Sequence, residues 1–242
     1  MKNSWQFRLP GFALAALLSL VLSCVLTSCQ HVVTYTQPAV VRVIDASYTA
    51  PAVNVNLDGA LFAANIAQGA FTNYGTLTAK SGALISVAPV AGGAILISSN
   101  STLLPGQQHS ILISDNELTP ATYSISLLDD QRTAAASGHS AFRFINQGLK
   151  VGAVDIYMVP SGVTLANAVP VVANLTAGSV TGYVNFISQG VNMIVTAAGT
   201  TTVKYTSPAI NLAGGEVRTA LIMDTQLTTS PPLTVFVGND VN

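Results

Sequence analysis

The chain has 242 residues and a formal net charge of −1; half of its side chains are apolar and only 8% are charged. Globular domains usually carry about 25% charged residues, so the surface must be polar but mostly uncharged, which leaves no basic footprint for nucleic acid and argues against disorder. Two cysteines and three histidines leave little material for thiol, zinc or triad chemistry.

Lys2 and Arg8 give a basic start, and Gly11 to Val25 is nearly all apolar, the length expected of a signal h-region. The run then closes on Leu26-Thr27-Ser28-Cys29, which resembles the lipobox of bacterial lipoproteins. Residues 1–28 are therefore expected to be a lipoprotein signal peptide, with Cys29 the lipid attachment site and residues 29–38 a tether. Two or three acyl chains of the palmitate type would hold the protein on a bilayer, because each buried methylene contributes roughly 0.8 kcal/mol. Cys24 competes as the modified residue, but Leu22 before it fits the motif less well than Thr27. An uncleaved transmembrane helix is the other reading, since Gly11 to Ser28 is close to the roughly 18-residue lower limit for a span. Gln30 after the cysteine points to the outer membrane if the cell is Gram-negative. Loss of Lys2 and Arg8 with the leader leaves seven basic against ten acidic side chains. Only one cysteine would remain, so the core must carry stability without an intrachain disulfide.

Beyond the tether the same text occurs twice. Val41-Arg42-Val43-Ile44-Asp45 returns as Phe142-Arg143-Phe144-Ile145-Asn146, and Ala52-Val53-Asn54-Val55 as Ala153-Val154-Asp155-Ile156, each 101 positions later. The phase of alternation is kept: Val53, Val55 and Leu57 face inward with Asn54 and Asn56 outward, as Val154, Ile156 and Met158 alternate with Asp155 and Tyr157. Tyr74 pairs with Tyr183, and Leu112-Ile113-Ser114-Asp115 with Leu221-Ile222-Met223-Asp224, now 109 positions apart. The second copy has thus gained about eight residues, in the Ser161 to Asn174 stretch where Gly162 and Pro170 mark a longer loop. Between these pairs, Gly82 and Gly190 precede apolar strands in which Ile85 and Val87 match Met193 and Val195. Pro105-Gly106 and Gly214-Gly215 are turns before the next strand. Ala91-Gly92-Gly93-Ala94 fits a hairpin turn rather than a phosphate cradle.

Each copy reads as about seven short strands without helical periodicity, which predicts an all-β protein of two tandem immunoglobulin-like sandwich domains. The expected spans are 39–132 and 140–242, joined by a small-residue linker over 133–139. A single long barrel or sandwich with convergent halves is the alternative.

Asp45-Ala46-Ser47-Tyr48-Thr49-Ala50-Pro51-Ala52-Val53-Asn54-Val55 resembles the opening of the bacterial domain of unknown function 4397, commonly His-Ala-Ser-Pro-Asp-Ala-Pro-Ala-Val-Asp-Val. Tyr74, Gly82 and the Leu104-Pro105-Gly106 turn are similar to that family as well. This copy departs at Asp45, Tyr48 and Asn54, and the second copy keeps only Ala153-Val154-Asp155-Ile156. The resemblance implies an envelope location and transfers no site residue.

For nucleophilic catalysis, histidine is the usual base. His31 lies in the tether, His109 starts a strand and His139 falls in the linker, so none suggests a triad, and no Gly-x-Ser-x-Gly elbow occurs. No His or Cys pair has zinc-ligand spacing. Asp115-Asn116-Glu117 and Asp129-Asp130 sit at strand ends, where they could serve calcium or, more ordinarily, cap turns. Arg42 and Arg143 keep one charge in both copies and read as a surface or intersheet ion pair. The sequence therefore points to a non-enzymatic, lipid-anchored envelope protein with no catalytic residue, metal or cofactor. Its partners would be the membrane and an envelope protein or glycan, met through loops or a sheet face, with exposed Tyr48 or Tyr157 as contacts. A hydrolase of envelope polysaccharide or ester, with its cleft between the copies, is the alternative; a structural spacer is the third reading.

Overall fold

The computed structural model describes residues 37–118, 120–226 and 232–241. The leader, Cys24, Cys29, Gln30, His31 and most of the 29–38 tether lie outside the described residues.

In the N-terminal half the strands are β1 (Ala39–Ala46), β2 (Val53–Leu57), β3 (Ala60–Ile66), β4 (Gly75–Leu77), β5 (Lys80–Pro89), β6 (Ile97–Leu103), β7 (Gln108–Leu118) and β8 (Ala121–Asp129). The C-terminal half continues with β9 (His139–Gln147), β10 (Val154–Pro160), β11 (Val172–Leu175), β12 (Val184–Ile187), β13 (Gly190–Ala197), β14 (Val203–Thr206), β15 (Ile210–Asn211), β16 (Val217–Asp224) and β17 (Leu233–Asn239). The eight and nine strands among the described residues exceed the seven expected per copy, because β4, its counterpart β12 and β15 are too short to leave a periodic signature.

The first half stacks sheet β4-β1-β7-β8 on sheet β3-β2-β5-β6; the second stacks β12-β9-β16-β17 on β11-β10-β13-β14, with β15 also on β13. The order is the same twice, including one parallel pair in each half, β1 with β7 and β9 with β16. Alternation explains the sandwich. Val53, Val55 and Leu57 are buried while Asn54 and Asn56 are half-exposed, and the inward row meets Val41, Val43, Ile85, Val87, Ile111 and Ile113 in the first core. Phe142, Phe144, Val154, Ile156, Met193, Val195 and Ile222 form the equivalent second core.

Irregularities recur too. Asn65 and Asn174, 109 positions apart, both take a left-handed φ of 52°. Each backbone N–H donates to the side chain facing it on the neighbouring strand, Asn65 to Asn54 Oδ1 and Asn174 to Asp155 Oδ1. Asparagine tolerates that conformation better than a branched residue, so both bulged edges can turn there.

One departure from repetition matters for the site. Asp58 and Gly59, with φ of 50° and 82°, make a two-residue turn between β2 and β3. Between β10 and β11 the chain instead runs through residues 161–171, which carry a 3-10 turn at Leu165–Asn167. His139, expected in the linker, opens β9.

A third apolar cluster lies between the halves. Ile44, Ala46 and Leu112 from one meet Ile145, Leu221 and Met223 from the other, flanked by Phe71, Leu128, Val180 and Phe236. This packing is why β1 is buried on both faces. Each inner sheet has one side in its own core and the other against the opposite half.

Candidate functional site

Arg42 leaves β1 on the side away from its own core, as alternation predicts, yet it is only 1% exposed. Its Nη2 lies 2.5 Å from Asp240 Oδ1, its Nη1 donates to the Asn239 carbonyl at 2.9 Å, and its Nε donates to Ser110 Oγ at 2.7 Å. Arg143 makes the mirror set: Nη2 to Asp130 Oδ1 at 2.6 Å, Nη1 to the Asp129 carbonyl at 3.2 Å, and Nε to Thr219 Oγ1 at 3.2 Å. The second oxygen of each acid is also taken. Tyr74 and Ser110 hydroxyls donate to Asp130 Oδ2 at 2.7 and 2.6 Å, and Tyr183 and Thr219 hydroxyls to Asp240 Oδ2 at 2.6 Å each.

The two halves are therefore clasped by a pseudo-twofold network in which each arginine reaches the aspartate of the other half. Two cations and two anions cancel, and removing one member would strand a buried charge. Burial pushes the Tyr74 and Tyr183 hydroxyls well above their ordinary range, so both remain donors. Burial pulls the Arg143 guanidinium down, but Asp130, Tyr183 and Asp240 outweigh it and leave it above its usual value. Arg42 and Arg143 thus form the intersheet ion-pair system that was one of the two placements the sequence suggested, and not a surface one. Neither acid is free for acid–base work.

The motif loop after β1 lies at the rim of this junction. Asp115 accepts from the backbone N–H of Tyr48 and Thr49 and from the Thr49 hydroxyl. Asp224, its counterpart, accepts from the N–H of Lys150 and Val151 at 2.7 and 3.2 Å. Both cap the loop that follows the first strand of their half. The expected calcium candidate at Asp115-Asn116-Glu117 is in this respect a turn cap. No group of three or more His, Cys, Asp or Glu among the described residues is arranged to hold a metal. Tyr48 is half-buried: Lys150 of the other half donates to its hydroxyl at 2.6 Å and lies 4.1 Å from its ring centroid.

Beneath that loop the halves differ in the side chain at one aligned position, Asp45 against Asn146. Asn146 Oδ1 accepts from Gly148 N–H at 2.9 Å, while its Nδ2 donates to the Gly152 and Leu175 carbonyls at 3.0 and 2.8 Å. Asp45 Oδ1 likewise accepts from the N–H and hydroxyl of Ser47. Its Oδ2, where the amide nitrogen would be, is buried with no hydrogen-bond partner among the described residues. Burial pushes this carboxyl up to about 6, against the bonds from Ser47, with the Asp115 charge adding to the rise.

The inserted loop builds a different feature on the outer sheet of the second half. Leu165 and Ala168 fold down on Tyr157, Val159 and Ile194. Tyr157, expected as an exposed contact, is 8% exposed for this reason; its outward phase was right, and the loop covers it. Above lies a cavity of about 310 Å³ lined by Met158, Val159, Pro160, Val163, Thr164 and Asn167 among others. Val163 and Val169 stand out at its rim, 55% and 80% exposed. On the same strand as Tyr157, Asp155 is fixed by Asn174 and Gly199 N–H donors at 2.7 and 2.8 Å.

The remaining candidates do not converge. His109 is buried; its Nδ1 lies 2.9 Å from Asp129 Oδ1, and its Nε2 accepts from Leu104 N–H at 3.3 Å, so both nitrogens are engaged. His139 is exposed beside the Ser137 carbonyl. Sequence reasoning missed Asp130 and Asp240 as partners of the arginines. The signal was present: both acids directly follow the strand after the second aligned block, 110 positions apart.

The family model described as "Domain of unknown function (DUF4397)" matches residues 39–157, from the start of β1 into β10. No curated protein matches the chain. Among solved structures, the maltoheptaose complex of CBMbc (family CBM26) from Eubacterium rectale Amy13K is 11% identical, covering 81% of this chain and 96% of that one, with a TM-score of 0.25. A "putative cell adhesion protein" from Bacteroides eggerthii DSM 20697 is 10% identical over 84% of this chain and 96% of that one, with a TM-score of 0.23. At those TM-scores neither likeness bears on mechanism.

Proposed function

We propose that this chain is a non-enzymatic binding protein of the bacterial envelope, lipid-anchored through Cys29, with two immunoglobulin-like sandwich domains clasped into one unit. Its binding face is the inserted loop of the second domain, and its partner is a protein. One observation carries the reading: two halves that share one strand order differ at residues 161–171, where the second half has an inserted loop that displays apolar side chains around a cavity. Exposed valines next to uncharged Thr164 and Asn167 suit apolar contact with a polypeptide. A glycan face would offer an aromatic platform, and here Tyr157 is covered. The non-enzymatic reading draws support from the ionisable groups: the junction acids are held by arginines, and His109 is engaged on both nitrogens. The Gln30 side of the lipobox supports the outer membrane in a Gram-negative cell.

The test exchanges residues 159–171 for segment 58–62 of the first half, which removes the eight extra residues and restores the tight turn. Full-length protein in detergent should lose retention on envelope material while its melting temperature changes little. Pretreating the material with protease should abolish retention of the parent. Undiminished retention by the exchanged variant would refute the face, and protease-resistant retention would point to a glycan.

A further inference from the structure

Each open sheet ends in strands whose outer backbone N–H and C=O groups lack ladder partners, a ready template for another strand. Among the described residues, all but one of these edges are short, bulged or occupied. β4, β11, β12 and β14 have three or four residues each and β15 has two. β14 adds Lys204 and a register shift against β13. β3 shifts register twice against β2 and holds left-handed Asn65. β8 and its counterpart β17 run into the clasp, where Arg143 and Arg42 take the carbonyls of Asp129 and Asn239.

The exception is β6, the outer strand of sheet β3-β2-β5-β6. Its seven residues include no proline, glycine or charge. The one irregularity in its pairing lies in β5, which takes three steps from Lys80 to Ala83 against two in β6 from Leu103 to Ser101. Its equivalent in the second half is β14, since each follows and pairs with the strand before it, β5 or β13. The edge that the second half blunts is thus left open in the first. β6 also reads almost the same in both directions: about Asn100, Ser99 mirrors Ser101, Ser98 mirrors Thr102 and Ile97 mirrors Leu103. Ser98, Asn100 and Thr102 are exposed, while Ile97, Ser99, Ser101 and Leu103 alternate with them towards the core.

We infer that β6 is a homodimer interface, at which two copies of this chain pair antiparallel about a twofold axis at Asn100 and join their four-stranded sheets into one. On the inner row apolar Ile97 then meets Leu103 of the second copy, and Ser99 meets Ser101. On the outer row Ser98 meets Thr102, and the two Asn100 amides, each both donor and acceptor, meet at the axis. A charge near a twofold axis meets its own copy, and β6 has none to repel. The backbone match holds whichever residues direct their N–H and C=O groups outward, because Asn100 faces itself and Ser99 faces Ser101. Seven residues a side is far below the roughly 20–30 of a standard interface, so the dimer is reversible. The inserted loop lies in the other half, and this interface is independent of it.

The test uses full-length protein in detergent. Facing residues of an antiparallel pair have Cα atoms about 4.5–5.5 Å apart, within disulfide reach, so Asn100→Cys should give a covalent dimer on mild oxidation with copper phenanthroline. Leu84→Cys is the control: Leu84 is also exposed and is the β5 partner of Asn100. Its copy would lie three strand spacings away, about 14 Å, and it should stay at the background set by the parent's own cysteines. Asn100→Lys, at an exposed position, brings two like charges to the axis. It should sediment as monomer at concentrations where the parent shows a monomer–dimer equilibrium, with an unchanged melting temperature. A parent that remains monomeric up to about 0.5 mM, Leu84→Cys cross-linking as readily as Asn100→Cys, or Asn100→Lys dimerising like the parent would overturn the interface.

Discussion

Replacing Asp45 with asparagine should stabilise the protein above neutrality. In the second half Asn146 places an oxygen towards Gly148 N–H and an amide nitrogen towards the Gly152 and Leu175 carbonyls. By register the position matching Leu175 is Ile66, and the buried Asp45 Oδ2 has no proton to give a carbonyl there unless the acid is neutral. The folded protein holds that proton more tightly than the unfolded chain, with a pKa of about 6 against 3.8. Stability from this group is therefore complete below pH 3.8 and is lost as pH rises through 6. At roughly 1.4 kcal/mol per pH unit, the loss amounts to about 3 kcal/mol. Asp45→Asn keeps an acceptor for Ser47 and supplies a permanent donor. Its gain should be near zero at pH 4 and close to that figure at pH 7.5, or several degrees at about 2–4 °C per kcal/mol. Asp115 and Asp224 are the other acids of the two loop caps; burial also raises Asp224, so a shallower slope of the same sign should persist in the variant. Urea denaturation from pH 4 to 8 measures the difference. A variant no more stable than the parent at pH 7.5, or equally shifted at both ends, would refute the reasoning.

Three other perturbations are predicted, two from the same geometry and one from the leader sequence. Asp240→Asn or Asp130→Asn strands a buried arginine and should destabilise by about 3–5 kcal/mol in urea, with the two variants similar because the network is pseudo-symmetric; a loss within error of a surface substitution would contradict the clasp. Gly238→Ala pushes a methyl into the Phe71 ring and should cost about 1–3 kcal/mol as overpacking, again read from the denaturation midpoint. Cys29→Ala should abolish acyl mass on the extracted protein and either release it or leave precursor behind; an unmodified parent chain still carrying residues 1–28 would mean a spanning anchor.

Much of the layout was legible because it is local. The alternation at Val53–Leu57 and Val154–Met158, the turns at Pro105-Gly106 and Gly214-Gly215, and the longer stretch after Pro160 all write their structure into neighbouring residues. The recurrence of Arg42 with Arg143, and of Tyr74 with Tyr183, marked the network without revealing its wiring. That wiring joins Arg42 to Asp240 across 198 positions, and at the end of a strand an aspartate looks like any turn residue. Outward phase does not distinguish solvent from a second sheet, so the burial of Ile44, Ile145 and Leu221 between the halves carries no local signal. Tyr157 is the same case in miniature: its direction follows from period two, and its cover comes from a loop whose fold depends on Tyr157 itself. The single-atom contrast of Asp45 with Asn146 was visible in the aligned text, but its meaning required the carbonyls around Asn146.

The binding face is best tested by mapping where envelope material touches the protein, using hydrogen exchange of the full-length chain with and without that material. Protection concentrated in residues 161–171 and in β10 is the expected result. Protection confined to the β3-β2-β5-β6 sheet, or none during measurable retention, would contradict the assignment of the inserted loop as the recognition surface.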